Sequence, residues 1–139
     1  MTRSDDRQEP SPRWDVRPRG ESTPDGAPPA SQVLRTELAR IEHRVEDVIA
    51  QGRAAFVEGS ESYDRAAVAV LRLAALFEEE KRFGTSLTVV TTDERRGITT
   101  TRDIAARSGC GAMSSEILWR TVTERIPDVV ARIHAALDA

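Results

Sequence analysis

The stretch LRTELARIEHRVEDV, residues 34–48, decides the fold class of this 139-residue chain. Its apolar side chains recur at steps of three and four, and mostly charged residues fill the positions between them. This spacing places one apolar stripe along an α-helix, and its members are Leu34, Leu38, Ile41, Val45 and Val48. The pattern predicts a long amphipathic helix from Ser31 to about Phe56, about 38 Å in length at about 1.5 Å per residue.

A second helical pattern follows in YDRAAVAVLRLAALFEEEKRF, residues 63–83. The preceding EGSES interrupts the first helix, and Ser60 or Ser62 is suited to cap the second one. The many alanines of this pattern favour close approach of a neighbouring helix. The next segment, GTSLTVVTTDERRG (residues 84–97), contains a β-branched run typical of a short strand, but no pairing strand is evident. We therefore expect an extended loop there.

Three short helices are expected in the C-terminal third. The first covers residues 99–107 and is followed by glycines suited to a helix cap. Ser114 or Ser115 is expected to cap the second, EILWRTVTER (residues 116–125). The third begins at Pro127, since proline fits the first helical turn. Together the patterns predict an all-α fold, an antiparallel bundle of four to five helices.

The first 31 residues differ in composition from the rest of the chain. They hold six of the seven prolines, mixed charges and almost no periodic apolar residues. Such a composition does not bury enough apolar surface to offset the entropy of ordering it. We therefore predict a disordered tail over residues 1–31 and one folded domain over residues 32–139.

The composition excludes several classes of protein. No apolar run approaches the roughly 20 residues of a transmembrane helix, and the N-terminal stretch lacks the apolar segment of a signal peptide. The single cysteine excludes an internal disulfide and a cysteine-based zinc site, and the two histidines are far apart. These features predict a cytoplasmic protein with no membrane contact, no metal and no cofactor.

Charge is distributed unevenly along the chain, although the net formal charge is only −3. Residues 95–132 carry seven arginines against four acidic residues, a local excess of three positive charges. That excess is compatible with contact to nucleic-acid phosphates. The alternative is a solvated helix face with no partner.

The segment RDIAARSGCGAM, residues 102–113, lies within this arginine-rich third and admits three interpretations. One is a helix-turn-helix for DNA, since Ile104, Ala105 and Gly109 have the spacing of that motif. Against it, Ser115 falls where the second helix should bury an apolar side chain, and a Ser-Ser-Glu opening is poorly suited to guanine edges or phosphates. Another interpretation is a plain helical bundle in which this segment is only a capped helix end.

The third interpretation comes from a family resemblance that extends over residues 32–138. The block RGITTTRDIAARSGCGAMSSEILWRTVTERIPDVVARI, residues 96–133, resembles the C-terminal half of HepT-like proteins of the HEPN superfamily. The matching features are a Gly-Ile that leads into an Arg-Asp pair, a turn, and then EILWRTVTERIPDVV with its Trp119 and Pro127. HepT-like proteins are metal-independent ribonuclease toxins of toxin–antitoxin pairs, and their partner is a small nucleotidyltransferase.

The motif of that family consists of an arginine, four intervening residues, a histidine and then a tyrosine. Arg102 matches the arginine, but Arg107 stands at the histidine position and Cys110 at the tyrosine position. The resemblance implies that Arg102 contacts RNA phosphate, that Asp103 orients it and that Arg107 adds positive charge. Histidine suits proton transfer because it titrates near neutrality, whereas arginine stays charged. Losing a positioned general acid–base costs about 10²–10⁴ in rate.

The resemblance therefore predicts an impaired member of the family, and two versions remain open. Either the chain is a weakened RNA endonuclease toxin, or it is a non-catalytic relative that binds RNA or the nucleotidyltransferase. A homodimer is expected, with residues 102–110 of each copy lining a shared cleft. The family tyrosine is the site of AMP transfer by the partner, and Tyr63 is expected to be a packing residue instead. His43 and His134 are expected to be ordinary surface or hydrogen-bonded histidines.

Overall fold

Five α-helices and no β-strand occur in the part of the chain that the structure describes. This computed structural model covers residues 27–107 and 112–139, apart from the side chains of residues 112–114. The helices are α1 Ala30–Gln51, α2 Glu61–Glu78, α3 Thr92–Ala106, α4 Ala112–Arg120 and α5 Ile126–Asp138. The predicted all-α class with four to five helices is confirmed. Most of the predicted tail lies outside the described residues, and its last two residues, Ala30 and Ser31, already belong to α1.

The apolar stripe of α1 lies against the core, and its five residues are 0–5% exposed. The helix ends at Gln51, however, and not at the predicted Phe56. Gly52 adopts a left-handed φ of 88°, which disfavours any residue with a side chain and stops the helix. A short 3₁₀ turn, Arg53–Ala55, then returns the chain so that Phe56 is fully buried.

Contacts between side chains of neighbouring helices give the direction in which those helices run. Glu37 of α1 pairs with Arg72 of α2 at 3.2 Å, and Asp47 pairs with Arg65 at 3.7 Å. Later residues of α1 therefore meet earlier residues of α2, so the two helices are antiparallel. The same order relates α1 to α5, through the contacts Arg35–Asp138 and Glu42–His134.

A side-chain cap fixes the start of α2. Ser60, one of the two predicted caps, accepts the Tyr63 N–H at 3.0 Å. The helix ends at Glu78, five residues before the predicted end at Phe83. A 3₁₀ helix, Glu80–Leu87, takes over the remainder of the predicted helical pattern.

The expected extended loop over residues 84–97 is wrong. The segment continues the 3₁₀ helix, bends at Gly84 with a φ of 67°, and becomes α3 from Thr92 onward. Thr91 and Glu94 form a capping box, in which each side chain accepts the other residue's backbone N–H. This reciprocal cap satisfies N–H groups at the start of α3. The stabilisation of the helix outweighs the preference of the β-branched residues for an extended backbone. As a result α3 starts seven residues earlier than predicted.

The last two helices form one continuous rod over residues 112–138, hereafter the C-terminal rod, and the predicted break between them is absent. A π-helical turn, Thr121–Arg125, joins α4 to α5, and its flanking residues keep helical dihedral angles. Pro127 falls in the first turn of α5, as predicted. Proline lacks an N–H and crowds the carbonyl four residues earlier, and the wider π turn accommodates both effects.

The start of the C-terminal rod corrects the predicted caps. α4 begins at Ala112, so Ser114 and Ser115 lie within the helix and not at its N-terminal cap. Ser115 is only 7% exposed, at the position where a helix-turn-helix buries an apolar residue. The glycines predicted to end the preceding helix lie outside the described residues.

One apolar core joins the helices, and its largest fully buried side chains include Phe56, Leu34, Leu38, Ile41, Leu73 and Leu118. α3 is the least embedded of the long helices, because only Ile98 and Thr101 of its 15 residues are buried. The other residues of α3 are half-buried or exposed. None of the helices in residues 27–107 and 112–139 combines the length and apolar content that a bilayer crossing requires.

Candidate functional site

Arg102, the residue predicted to contact phosphate, is already engaged by two carboxylates. Its Nη1 donates to Glu78 of α2 at 3.1 Å, and its Nε donates to Asp103 at 3.3 Å. The hydrogen bond to Glu78 raises the pKa of Arg102; partial burial opposes that shift, and the bond to Asp103 adds to it. The predicted contact between Arg102 and Asp103 is thus present. A phosphate that binds Arg102 must compete with both carboxylates.

Arg107, at the family histidine position, is exposed at the end of α3, where its N–H donates to the Ile104 carbonyl at 3.1 Å. It stands five positions after Arg102, and at about 100° per residue the two side chains leave the helix axis about 140° apart. One face of the helix therefore does not present both guanidinium groups to one phosphate. Cys110 lies outside the described residues.

The histidines and the tyrosine occupy other parts of the molecule. His43 is exposed on α1, 3.7 Å from Asp47. His134 of α5 contacts Glu42 at 3.3 Å. Tyr63 is buried at 6% exposure, with its ring 5.4 Å from the ring of Phe56, which agrees with its predicted packing role. No described contact brings either histidine to Arg102.

An open groove lies between α3 and the C-terminal rod, with a volume of about 680 Å³. Its apolar lining comes from Ile98 and Ile104 of α3 and from Ile117 and Val129 of the C-terminal rod. We call it the α3–rod groove. Neither Arg102 nor Arg107 lines it. The cavity has the size and the mixture of apolar and polar groups that binding sites usually show.

The π turn forms part of one wall of the α3–rod groove. The Ile126 N–H bonds to the Thr121 carbonyl, which widens the helix by one residue at this point. Thr121 is nearly buried, and its hydroxyl lies 3.3 Å from the hydroxyl of Thr101 on α3. Thr101 in turn donates to the Gly97 carbonyl at 2.9 Å. π turns often occur at functional sites, and this one connects the two walls.

Acidic side chains outnumber basic ones around the α3–rod groove. Four carboxylates and two guanidinium groups line it, and they belong to Asp93, Glu94, Glu124, Asp128, Arg96 and Arg125. Arg132, just outside, bonds to both Glu94 and Asp128. The hydrogen bond from Arg132 holds the pKa of Glu94 below its ordinary value, and a backbone bond from Thr91 acts in the same direction. Asp93 also pairs with Arg96 at 3.3 Å, so with Arg132 counted the groove carries four carboxylates against three guanidinium groups, a small negative excess that disfavours a polyanion such as RNA.

Sequence reasoning missed the α3–rod groove. It is built from two separate segments, residues 93–104 and 117–129, and the first was expected to begin as a loop. The sequence of α3 contained one signal for the groove. Few of its 15 residues are apolar, so this helix has little apolar surface to pack against its neighbours.

No protein-family model matches the chain, and neither a curated protein nor a solved structure matches it. Within residues 27–107 and 112–139, no three histidine, cysteine, aspartate or glutamate side chains are grouped in a way that suits a metal ion. The α3–rod groove and the Arg102 ion pairs are thus the candidate functional features of the described residues.

Proposed function

We propose that this chain is a non-catalytic helical protein that binds a partner protein through the α3–rod groove. The observation that carries the proposal is the groove itself, with apolar residues along its length and an excess of carboxylates around them. Grooves between two helices commonly take an amphipathic helix, whose apolar side chains enter the groove. The complementary occupant is a short amphipathic helix with lysine or arginine on both sides of its apolar face.

The length of the groove agrees with such an occupant. Its lining extends from Asp93 to Ile104 on α3 and from Ile117 to Val129 on the C-terminal rod. At 1.5 Å per residue these walls are about 16 and 18 Å long, which corresponds to about three turns of a bound helix. Three turns supply the anchor positions i, i+3, i+4 and i+7 that helix-in-groove complexes use.

The non-catalytic part of the proposal is supported by the surroundings of Arg102. Two carboxylates occupy its guanidinium group, and the motif position that needs a proton carrier holds the permanently charged Arg107. Among the two interpretations of the HepT-like resemblance, these contacts favour the partner-binding relative over the weakened ribonuclease. Under that interpretation the bound partner is a small nucleotidyltransferase.

Gly97 offers a test of the groove that leaves the core untouched. It lies within α3, lines the groove, and a Cβ placed there meets no atom within 4 Å. We expect Gly97→Trp to fill the groove and abolish binding of a basic amphipathic helical peptide of about three turns. Gly97→Ala is the matched control: it should bind like the parent and gain about 0.5–1 kcal/mol in stability. Fluorescence anisotropy with labelled peptide measures the binding.

The same peptide with glutamate in place of every basic residue tests the charge argument. It is expected to bind far more weakly than the basic peptide, and added salt should reduce the difference. Equal binding by Gly97→Trp and Gly97→Ala would show that the peptide does not use the groove. Equal binding of the two peptides would show that the carboxylates do not select the partner.

An RNA cleavage assay tests the absence of catalysis. We expect the purified chain to cleave RNA no faster than a buffer blank, and Arg102→Ala to behave identically, because among the described residues no histidine contacts Arg102 and the two carboxylates beside it are held in ion pairs with it. A ribonuclease of broad specificity serves as the positive control. Cleavage by the parent that disappears in Arg102→Ala would favour the ribonuclease interpretation. Cleavage gained by the double change Arg107→His, Cys110→Tyr would support descent from an active HepT-like enzyme.

A further inference from the structure

α2 carries a second apolar stripe on the side that faces away from the core. Val68 and Leu71 are 36% and 55% exposed, and Ala75 is exposed one turn further on. The steps of three and four between them place all three on one face of the helix. Single exposed apolar residues are ordinary, whereas a contiguous exposed patch marks an interaction surface. We call these three residues the α2 stripe.

The α2 stripe forms one side of a shallow depression of about 450 Å³. Val33 of α1, Leu76 of α2 and Phe83 of the 3₁₀ helix complete its apolar lining. We call this hollow the α2 depression. Apolar side chains from three elements surround it, so it offers room and apolar contacts to one large side chain from outside the bundle.

The charged side chains of the α2 depression already pair with one another. Among the described residues, two carboxylates and two guanidinium groups line it, as the pairs Glu37–Arg72 at 3.2 Å and Glu79–Arg82 at 3.3 Å. The lining therefore has no net charge with which to attract a charged partner. Guanidinium groups do attract the face of an aromatic ring, as Arg82 does at 5.5 Å from the ring centre of Phe83. The depression thus favours an aromatic occupant without net charge.

The chain itself supplies such an aromatic residue. Trp14 is the only aromatic residue that precedes α1, and the charges of Arg13 and Asp15 on either side of it cancel. The chain enters α1 at Ala30, and Val33, less than one turn later, lines the α2 depression. The segment that carries Trp14 is therefore attached to the bundle directly beside the depression.

The length of chain between Trp14 and α1 matches the distance to be covered. Trp14 stands 16 positions before Ala30, and a random coil of that length spans about 20–24 Å. The α2 wall of the depression, from Val68 to Glu79, is about 16 Å long. Since α1 and α2 are antiparallel, the Glu79 end of that wall lies beside the start of α1. A tether that matches its span holds the effective concentration of the tethered group on the order of millimolar.

We propose that Trp14 docks into the α2 depression of its own chain, with its indole ring against the α2 stripe. Docking removes Val68 and Leu71 from water together with the ring, which is the favourable term of the contact. A second copy or another protein present below millimolar concentration competes poorly with a tethered occupant. The contact is independent of the proposed function, because the α3–rod groove and the α2 depression share no lining residue.

Fluorine NMR of the full chain labelled with 5-fluorotryptophan tests the docking. The chain contains two tryptophans, Trp14 and Trp119, and Trp14→Phe identifies the resonance of the first. We expect that resonance to lack the shift between water and heavy water that an exposed indole shows. Leu71→Glu should restore the shift and lower the ratio of docked to free Trp14 about tenfold or more, because it places a charge against the ring. Val57→Glu is the matched control, since Val57 is 56% exposed against 55% for Leu71 but does not line the depression.

Two further measurements separate this contact from other occupants. Ala75→Glu provides a second variant at an exposed position of the α2 stripe, and circular dichroism confirms that each variant folds. Dilution should leave the Trp14 resonance unchanged, because docking within one chain does not depend on concentration. Gly97→Phe fills the α3–rod groove without adding a tryptophan and should also leave the resonance unchanged.

Four results would overturn the proposal. The first is a Trp14 resonance in the parent with the full isotope shift of an exposed indole. The second is protection that survives both Leu71→Glu and Ala75→Glu, which places the ring elsewhere. Protection that disappears on dilution assigns the depression to a second copy, and protection that disappears in Gly97→Phe assigns Trp14 to the α3–rod groove.

Discussion

Replacing Phe56 by alanine is expected to lower the free energy of unfolding by about 3–5 kcal/mol. The ring is fully buried and lies 5.4 Å from the ring of Tyr63 and 5.2 Å from the ring of Trp119, measured between centroids. These rings join the segment after α1, the start of α2 and the C-terminal rod. Truncation opens a cavity between three elements that are each anchored elsewhere, so the space does not collapse. Denaturant unfolding followed by circular dichroism measures the loss.

The neighbouring residue provides the control for this prediction. Val57 is 56% exposed, and Val57→Ala is expected to change the free energy of unfolding by less than about 0.5 kcal/mol. If both variants lost similar amounts, the ring cluster would not be the point at which these three elements are held. An unchanged denaturant slope in Phe56→Ala would confirm that the native state, and not the unfolded ensemble, carries the effect.

The sequence pattern places Phe56 at the end of the first helix, whereas the structure puts this buried residue after a separate turn. Apolar periodicity reports which residues face the core, and the stripe from Leu34 to Val48 shows this directly. Periodicity does not report where a helix stops. Gly52 ends α1 through its left-handed backbone, and a 3₁₀ turn brings Phe56 back to the core.

Longer-range contacts explain why residues 84–97 could not be predicted. The run of threonine and valine favours an extended chain locally. In the structure Arg95 overrides that preference: it binds Glu80 with two hydrogen bonds and also donates to the carbonyls of Leu87 and Val90. These bonds fold the segment back along itself. The local propensities of residues 84–97 contain no information about these long-range bonds.

Only part of the candidate site could be predicted from the sequence, again because the rest depends on long-range contacts. The pairing of Arg102 with its neighbour Asp103 was predicted, but the pairing with Glu78 depends on how α2 and α3 pack. The α3–rod groove likewise requires that α3 begin at Thr92 and that the C-terminal rod continue through Pro127. Both features contradict what the sequence pattern predicts, so the groove could not be predicted from the sequence.

Arg132→Met is expected to lower the free energy of unfolding at neutral pH by about 2 kcal/mol. From α5, Arg132 donates to the Val89 carbonyl at 2.9 Å, to Asp128 at 3.0 Å and to Glu94. It therefore ties the start of α3 and the turn before it to the C-terminal rod. Bonds to charged groups contribute about 1.5–3 kcal/mol when sheltered, and partial exposure reduces their sum. Arg125→Met, at an exposed position on the same rod, is expected to cost little.

The loss caused by Arg132→Met should depend on pH, because Glu94 titrates. The bond from Arg132 holds the pKa of Glu94 below its ordinary value of 4.5. The unfolded chain therefore binds this proton at a higher pH than the folded chain does, and the Glu94 contribution is complete above pH 4.5 and falls as the pH drops through the folded pKa. Parent and variant should accordingly differ most at neutral pH and less in acid, where only the bond to the Val89 carbonyl is unaffected, as denaturant unfolding over a pH series will measure. Glu94→Gln keeps the capping box but not the charge, so in that background the Arg132 effect should be smaller and lose this pH dependence. A gap between parent and Arg132→Met that persists unchanged in acid would contradict the assignment to Glu94 and place the effect on the Val89 carbonyl.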